Sequence, residues 1–250
     1  MPARGIIACA AAAGALLALS ACESSQTESA RLKKQGAKAA QLTTIKAGVK
    51  NPDVRVKSTT VLTSASGGAV VVALENTGAT DQVAVPVQIQ VKDAKGEVVY
   101  KNDLDGLQPA LQQMALLRKG ATEYWINDQV TAATPPKTAA VEVGKPKGKA
   151  ATGPLPKIKL ERVKMDSDES GPFVSGIVRN LSRTSQVNMP IYGVFRRGTK
   201  IVAAGRALIE RLNPEPQKKP TVFRIFFVGN TKGAKLSLEP EPTVLQPEGT

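Results

Sequence analysis

The stretch Val83-Ala84-Val85-Pro86-Val87-Gln88-Ile89-Gln90-Val91 decides the fold class of this chain. Its apolar residues at 83, 85, 87, 89 and 91 alternate with alanine, proline and glutamine, which gives one apolar and one mostly polar face. A period of two residues is typical of a β-strand that packs on a core with one face. Pro86 has no backbone N–H group, and its position predicts an edge strand or a β-bulge.

A second copy of this strand follows at an offset of 104 residues. The shared core is Gln-Val-x-x-Pro-[Val/Ile], which occurs as Gln82–Val87 and as Gln186–Ile191, and Gly193 takes one inward position of the second copy. The other matches are Asn76 with Asn180, Thr80 with Thr184, Leu107-Gln108-Pro109 with Leu212-Asn213-Pro214, and Val141-Glu142-Val143 with Leu236-Ser237-Leu238. A repeat of this length exceeds any solenoid unit and predicts two tandem domains.

Turn sequences separate further alternating segments in each copy. Asn76-Thr77-Gly78 follows one apolar strand, and Asp93-Ala94-Lys95-Gly96 predicts a hairpin turn into the next. Short alternating strands between such turns predict an all-β fold with an antiparallel β-sandwich in each copy. The segment from Gly106 to Gly120 is ambiguous, because its leucine and methionine spacing could also form a short helical crossover.

The composition excludes several kinds of chemistry. The chain has 250 residues with no histidine, which excludes Ser-His-Asp and Cys-His nucleophilic catalysis and histidine-ligated zinc. Its two cysteines, Cys9 and Cys22, both lie near the N-terminus, so no disulfide joins the strands. No motif for a nucleotide, a phosphate or a cofactor is present, and we predict neither a cofactor nor an enzyme. A hydrolase, the least favoured alternative, would need an oriented nucleophile and base.

The N-terminal residues have the order of a secretory leader. Arg4 is followed by an uncharged apolar run over residues 6–19, which is too short to span a bilayer comfortably. Leu19-Ser20-Ala21-Cys22 then resembles the lipobox of bacterial lipoproteins. The resemblance implies cleavage between Ala21 and Cys22 and a lipid on the Cys22 sulfur, which anchors the chain on the extracytoplasmic face of a membrane. An ordinary cleaved signal or an uncleaved short helix are the alternatives.

The remaining chain divides by composition. A polar, lysine-rich and alanine-rich segment precedes the first copy, and a Lys/Pro/Gly run separates the copies. We expect each copy to fold on its own, with the run between them open to proteases. The predicted parts are a lipoprotein signal peptide (1–21), a lipidated flexible stalk (22–50), a first β-sandwich domain (51–143), a linker (144–157) and a second β-sandwich domain (158–250).

The net charge of +13 is unevenly placed. Residues 51–143 hold eight basic and ten acidic residues, whereas residues 144–159 hold five lysines and no acid. A uniform basic shell is absent, which argues against nucleic-acid binding. The turn with Arg196, Arg197 and Lys200 is a candidate anion-binding patch, to which Arg179, Arg183 and Arg206 could add. A solvated hairpin is the alternative.

The acidic stretch from Asp166 to Gly171 imitates the start of a calcium loop. Its twelfth position is Ile177, where a calcium loop needs a glutamate, so an acidic hairpin turn is the better interpretation. No metal is predicted.

The repeated strand-and-turn pattern resembles the small immunoglobulin-like modules of bacterial envelope lipoproteins, such as FxLYD-type and CARDB-like domains. The Phe-x-Leu-Tyr-Asp signature itself is absent: the aligned stretches read Val87-Gln88-Ile89-Gln90-Val91 and Ile191-Tyr192-Gly193-Val194-Phe195. The resemblance implies two immunoglobulin-like domains that act as a spacer or bind an envelope protein or anionic polymer. An accessory lipoprotein of a secretion or transport complex is the alternative. With two host membranes, an outer-membrane location is open, because Glu23 is not an aspartate-type retention signal.

Overall fold

The computed structural model describes residues 43–64, 67–150, 153–169 and 171–245. The predicted signal peptide, the cleavage site at Ala21 and the lipid acceptor Cys22 lie outside these residues. Within them the chain is built of strands, and its one helical element is a 3-10 turn at Pro109–Leu111. None of the described helices is long and apolar enough to cross a membrane.

The strands follow the two repeats. The first repeat contains β1 (Val54–Ser64), β2 (Gly67–Asn76), β3 (Gln82–Lys92), β4 (Val98–Lys101), β5 (Gln113–Leu117), β6 (Thr122–Val130) and β7 (Thr138–Val143). The second repeat contains β8 (Ile158–Asp168), β9 (Gly171–Asn180), β10 (Gln186–Arg197), β11 (Lys200–Leu212), β12 (Thr221–Phe226), β13 (Val228–Gly229) and β14 (Lys235–Pro240).

Each repeat forms two sheets, and all strand pairs are antiparallel. The first repeat has the orders β1-β2-β6 and β4-β3-β5, with β7 also paired to β3. The second has the orders β12-β9-β8 and β13-β11-β10-β14. The all-β, sandwich-like fold class predicted from the alternating residues is therefore confirmed. The number of separately folding domains stays a prediction.

The prolines of the repeat lie inside their sheets rather than at an edge. Pro86 pairs with Gln113 on one side, and its carbonyl accepts a hydrogen bond from the Gly144 N–H at 2.9 Å on the other. Proline has no N–H to donate back to the Gly144 carbonyl. That carbonyl instead accepts a hydrogen bond from the Asn51 side-chain amide at 3.2 Å, so it is not left unsatisfied. The backbone irregularity lies two residues earlier, where Ala84 and its counterpart Asn188 have φ values of 53° and 51°. The chain bends at the same place in both copies.

The matched polar residues hold equivalent loops in the two copies. The Asn76 amide donates hydrogen bonds to the carbonyls of Thr80 and Leu117. The Asn180 amide donates in the same way to the carbonyls of Thr184 and Leu212. Both asparagines are fully buried, so these bonds satisfy groups that would otherwise lack water. The repeat in the sequence is therefore partly a repeat of buried polar contacts.

The two repeats pack against each other through one sheet of each, and the central strands β2 and β10 of these sheets are buried on both faces. Neighbouring residues of β6 show this: the Trp125 indole donates to the Ala110 carbonyl inside the first repeat, and the Tyr124 ring lies under Arg196 of β10. In β10, Ile191 packs in the core of the second repeat, whereas Val194 packs in the core of the first. Successive strand residues point to opposite faces. The sheets therefore form four layers, with β1-β2-β6 and β13-β11-β10-β14 in the middle.

Gly193 of β10 and Gly205 of β11 are cross-strand neighbours. Because they have no side chains, the β12-β9-β8 sheet can approach closely at this point. A Cβ atom on Gly205 would lie 1.9 Å from the Phe226 carbonyl oxygen, and one on Gly193 would lie 2.9 Å from the Phe227 ring. The inward position that the sequence leaves empty at Gly193 is thus filled by an aromatic side chain from the facing layer.

The helical alternative for the segment from Gly106 to Gly120 is wrong. The segment holds the 3-10 turn and then β5, in which Met114 and Leu116 are buried. Their spacing of two residues is that of a strand, and pairing with β3 satisfies the backbone there. Tertiary pairing has overridden the local leucine spacing.

Both predicted connecting segments touch the body in part. Ala47, in the predicted stalk, is buried, and its N–H donates to the Gln88 side chain at 2.9 Å. In the predicted linker, the N–H groups of Lys147 and Gly148 donate to the carbonyls of Ala84 and Val83. The described part of the stalk thus contacts β3, the loop after β4 and the end of the 3-10 turn, and the first residues of the linker pair with β3 at its bend.

Candidate functional site

The predicted basic turn is a hairpin at the end of the β13-β11-β10-β14 sheet. Arg197 pairs with Lys200 across it, and Gly198 at φ 61° makes the turn. The Arg196 guanidinium lies 4.7 Å from the centre of the Tyr124 ring, so its charged plane is fixed by an aromatic face. The structure therefore holds one of the three predicted cations in a defined orientation.

Two lysines that the sequence analysis did not include lie beside this hairpin. Arg196 pairs with Lys235 of β14, and Arg197 donates a hydrogen bond to the Lys232 carbonyl at 2.8 Å. The sequence did hold a signal for these lysines. The repeat aligned the last strands, β7 and β14, and each of them pairs with the proline-containing strand of its own copy, β3 or β10. We call the group Arg196, Arg197, Lys200, Lys232 and Lys235 the basic sheet end.

The other arginines considered for the patch lie elsewhere. Arg179 and Arg183 flank the turn that leads into β10, whereas the basic hairpin is at the far end of this strand. At about 3.3 Å per residue, the length of β10 separates the two groups by roughly 30 Å. Arg206 points into the repeat interface, where its guanidinium is ion-paired with Asp128 at 3.3 Å. Adding these three residues to the patch was wrong.

Asp166 to Asp168 form the end of β8 and pair with the first residues of β9, with Asp168 opposite Gly171. Asp168 is also ion-paired with Arg224 at 3.3 Å. Within the described residues, no group of three metal-ligating side chains could hold a metal ion. The pairing of Asp168 with Gly171 confirms the hairpin turn, and the prediction of no metal stays a prediction.

A second candidate site, missed by the sequence analysis, is a cleft of about 470 Å³ where the two repeats meet. Its walls come from β5 and β6 of the first repeat and from β10 and β14 of the second, together with the end of the linker. The apolar part of the lining includes Met114, Leu116, Leu155, Ile158 and Leu238. The polar part consists of Arg118, Glu123, Lys157, Tyr192, Glu239 and Glu241, together with Tyr124 and Ser237. We call it the repeat cleft.

Glu241 is the central polar group of the repeat cleft. It is 5% exposed, and its Oε1 atom accepts a hydrogen bond from the Leu116 N–H of the other repeat at 2.8 Å. Its backbone N–H donates to the Pro190 carbonyl, in the way that Gly144 donates to Pro86 in the first repeat. A buried carboxyl thus occupies the place that glycine has in the other copy.

Two buried oxygen atoms of the cleft have no hydrogen-bond partner in the described part of the chain. They are Glu241 Oε2 and the hydroxyl of Tyr192, which is 3% exposed. Burial raises the pKa of the Glu241 carboxyl to about 8 and raises the pKa of the Tyr192 hydroxyl well above its ordinary value. The two groups face each other: the Tyr192 hydroxyl lowers the pKa of the Glu241 carboxyl and the carboxylate raises the pKa of the hydroxyl, although their geometry falls short of a full hydrogen bond. Unsatisfied buried polar groups cost stability and are rare in folded proteins.

Two further carboxyls, Glu123 and Glu239, line the cleft together with Arg118 and Lys157. Arg118 is ion-paired with both Glu123 and Glu239, the latter at 2.6 Å. Burial raises the pKa of Glu123, and the nearby negative charge of Glu239 raises it further. With Lys157 at the rim included, the lining has two cations and three carboxyls, so it carries an excess negative charge when Glu241 is ionised.

Comparison with known proteins gave no relative. No protein-family model matches the chain, and no curated protein or solved structure matches it significantly.

Proposed function

We propose that this is a lipid-anchored, non-catalytic protein of the bacterial cell envelope that presents its β-sandwich body to an anionic partner. The observation that carries the anchor is the order Arg4, an uncharged apolar run, and Leu19-Ser20-Ala21-Cys22. These three parts act in succession, since the charge orients the leader, the apolar run enters the membrane, and the thiol accepts the lipid. An immunoglobulin-like identity for the two repeats belongs to the same proposal.

The basic sheet end supports an anionic partner. Its five cations come from two adjacent segments, the β10–β11 hairpin and the loop that leads into the first residue of β14, and strand pairing places Arg196 beside Lys235 and Arg197 beside Lys200. Charges held on a sheet lose less freedom on binding than charges on a mobile chain. A phosphate-bearing or carboxylate-bearing envelope polymer would meet several cations at once.

Replacing the acceptor cysteine tests the anchor. We expect Cys22→Ala to accumulate as an unprocessed precursor that carries no label from a radioactive fatty acid, because alanine has no thiol to form the thioether. Cys9→Ala is the matched control, since Cys9 lies inside the apolar run and should leave processing and labelling unchanged. Labelled mature protein in the Cys22→Ala variant would contradict the anchor assignment. The change lies outside the β body and should leave its folding unaltered.

A further inference from the structure

We propose that the repeat cleft binds an aliphatic ammonium group, with the Glu241 carboxyl and the Tyr192 hydroxyl as its buried acceptors. The inference is independent of the lipid anchor, and the cleft adjoins the basic sheet end at Tyr124, which lines the cleft and lies under Arg196. It starts from the unpartnered oxygens on Glu241 and Tyr192, which both line the cleft.

These oxygens are a cost that the fold alone does not explain. The Glu241 position needs only a backbone N–H for the strand contact, and the first repeat supplies that contact with Gly144. Perturbed, incompletely satisfied groups in a cleft are typical of binding sites, because a ligand completes what the protein leaves open. The cleft volume of about 470 Å³ lies within the range of small-molecule sites.

When Glu241 is ionised, the charge of the lining favours a cation, because three carboxylates then face only Arg118 and Lys157. The buried Glu123 and Glu241 carboxyls raise each other's free energy when both are ionised, as the coulombic effect of Glu123 on Glu241 shows. Arg118 is already shared between Glu123 and Glu239. The Tyr192 hydroxyl, on β10 next to β14 in the same sheet, is itself near Arg206 and Asp128, which are paired with each other. An additional positive charge beside Glu241 Oε2 would relieve this repulsion.

The arrangement of acceptors favours an ammonium over a guanidinium. A guanidinium binds a carboxylate best through both oxygens at once, but Glu241 Oε1 is already occupied by the Leu116 N–H. An ammonium has three donors that can reach separate single acceptors, here Glu241 Oε2 and the Tyr192 hydroxyl. The leucines, isoleucine and methionine of the cleft offer an apolar surface for the aliphatic chain. Such a group occurs on free amines and on lysine side chains.

The experiment is titration calorimetry on the full purified chain in nonionic detergent. n-Pentylamine is the cationic probe, and n-pentanol is its neutral counterpart of equal length. We expect pentylamine to bind and pentanol to bind at least tenfold more weakly. At pH 7 the amine should also displace a proton from Glu241, so that the observed heat depends on the ionisation enthalpy of the buffer.

Two variants and a control locate the site. Glu241→Gln keeps the shape of the side chain and should weaken pentylamine binding about tenfold or more and abolish the buffer dependence, since the charged acceptor is gone. Tyr192→Phe should weaken binding severalfold and provides a second test should the first variant fail to fold. Glu210→Gln, an exposed glutamate of β11 outside the cleft, should bind like the unaltered chain.

The outcomes separate cleanly. Equal binding of amine and alcohol, an unchanged affinity in Glu241→Gln, or no binding of pentylamine at millimolar concentration would each overturn the proposal. Binding that emerges only in Lys157→Gln would also overturn it, because the lysine at the rim of the cleft would then be the occupant. Nα-acetyl-lysine methylamide distinguishes the source: if it binds like pentylamine, a lysine side chain of a peptide fits the cleft, and if only pentylamine binds, the ligand is a free amine.

Discussion

Replacing Glu241 with glutamine should change how the stability of this protein depends on pH. Burial raises the pKa of the Glu241 carboxyl to about 8, whereas an unfolded glutamate titrates at about 4.3. Between these values the folded chain retains a proton that the unfolded chain has lost. The free energy of unfolding therefore falls as the pH rises through this window, and the loss is complete once the pH exceeds the folded-state pKa.

The magnitude follows from the width of the window. One pH unit corresponds to about 1.4 kcal/mol, so the buried carboxyl costs about 3 to 5 kcal/mol at pH 8 relative to pH 4. Glu241→Gln removes this cost, because an amide does not ionise in the range and its oxygen can still accept from the Leu116 N–H. We expect the variant and the unaltered chain to be about equally stable at pH 4, and the variant to be more stable by that amount at pH 8.

Urea unfolding between pH 4 and pH 9 measures the difference, with the fluorescence of the single tryptophan, the buried Trp125, as the signal. Glu123 and Asp128 also have pKa values that burial raises, so they contribute to the pH dependence of both chains. Only the difference between the two curves reports on Glu241. Parallel curves, or a variant that is less stable at every pH, would refute the assignment of a buried, proton-retaining carboxyl. Glu210→Gln should leave the curve unchanged.

Two further predictions concern charge. Neutralising Arg196, Arg197 and Lys200 together should weaken binding to an anionic polymer more than neutralising Lys145, Lys147 and Lys149, and the difference should shrink in high salt; equal losses, measured by salt-dependent sedimentation, would reduce the patch to net charge. Asp128→Asn should destabilise the chain by about 3 kcal/mol, because it leaves the Arg206 guanidinium, whose side chain is 3% exposed, without its charged partner across the repeat interface. A double-mutant cycle with Arg206→Leu should then show coupling above about 1 kcal/mol, and additive losses would contradict an energetic link between the repeats.

The alternation around Pro86 was sufficient to predict the fold class, because the period of two residues directly reflects burial on one face. The Asp93–Gly96 turn was also readable, and the structure places Gly96 at φ 85° between β3 and β4. The repeat gave the strand pairing of both copies in outline. In one detail the match was shifted by two residues. Leu238 pairs with Gly193 and Val141 pairs with Ile89, and Gly193 and Ile89 are matching residues, so Leu238 rather than Leu236 is equivalent to Val141.

The cleft could not be predicted, because its residues come from segments far apart in the chain. Glu241 and Leu116 are 125 residues apart and meet only because the sheets of the two repeats stack. In the sequence, Glu239 and Glu241 flank a proline in a polar tail and have the appearance of surface residues. The alternating pattern of β10 showed which residues face its own core. It could not show that Val194, on the opposite face, would be covered by another sheet.

The burial of β10 and β11 on both faces has a consequence for how such a chain can change over generations. A repeated module that shows one apolar face to its own partner sheet can be copied, removed or exchanged without harm. Here the removal of either copy would expose apolar residues of the other, including Val194 and Ile201 on one side and Val71 and Ile126 on the other. The pair must therefore be inherited as one unit, and any change at the contact in one copy needs a matching change in the other.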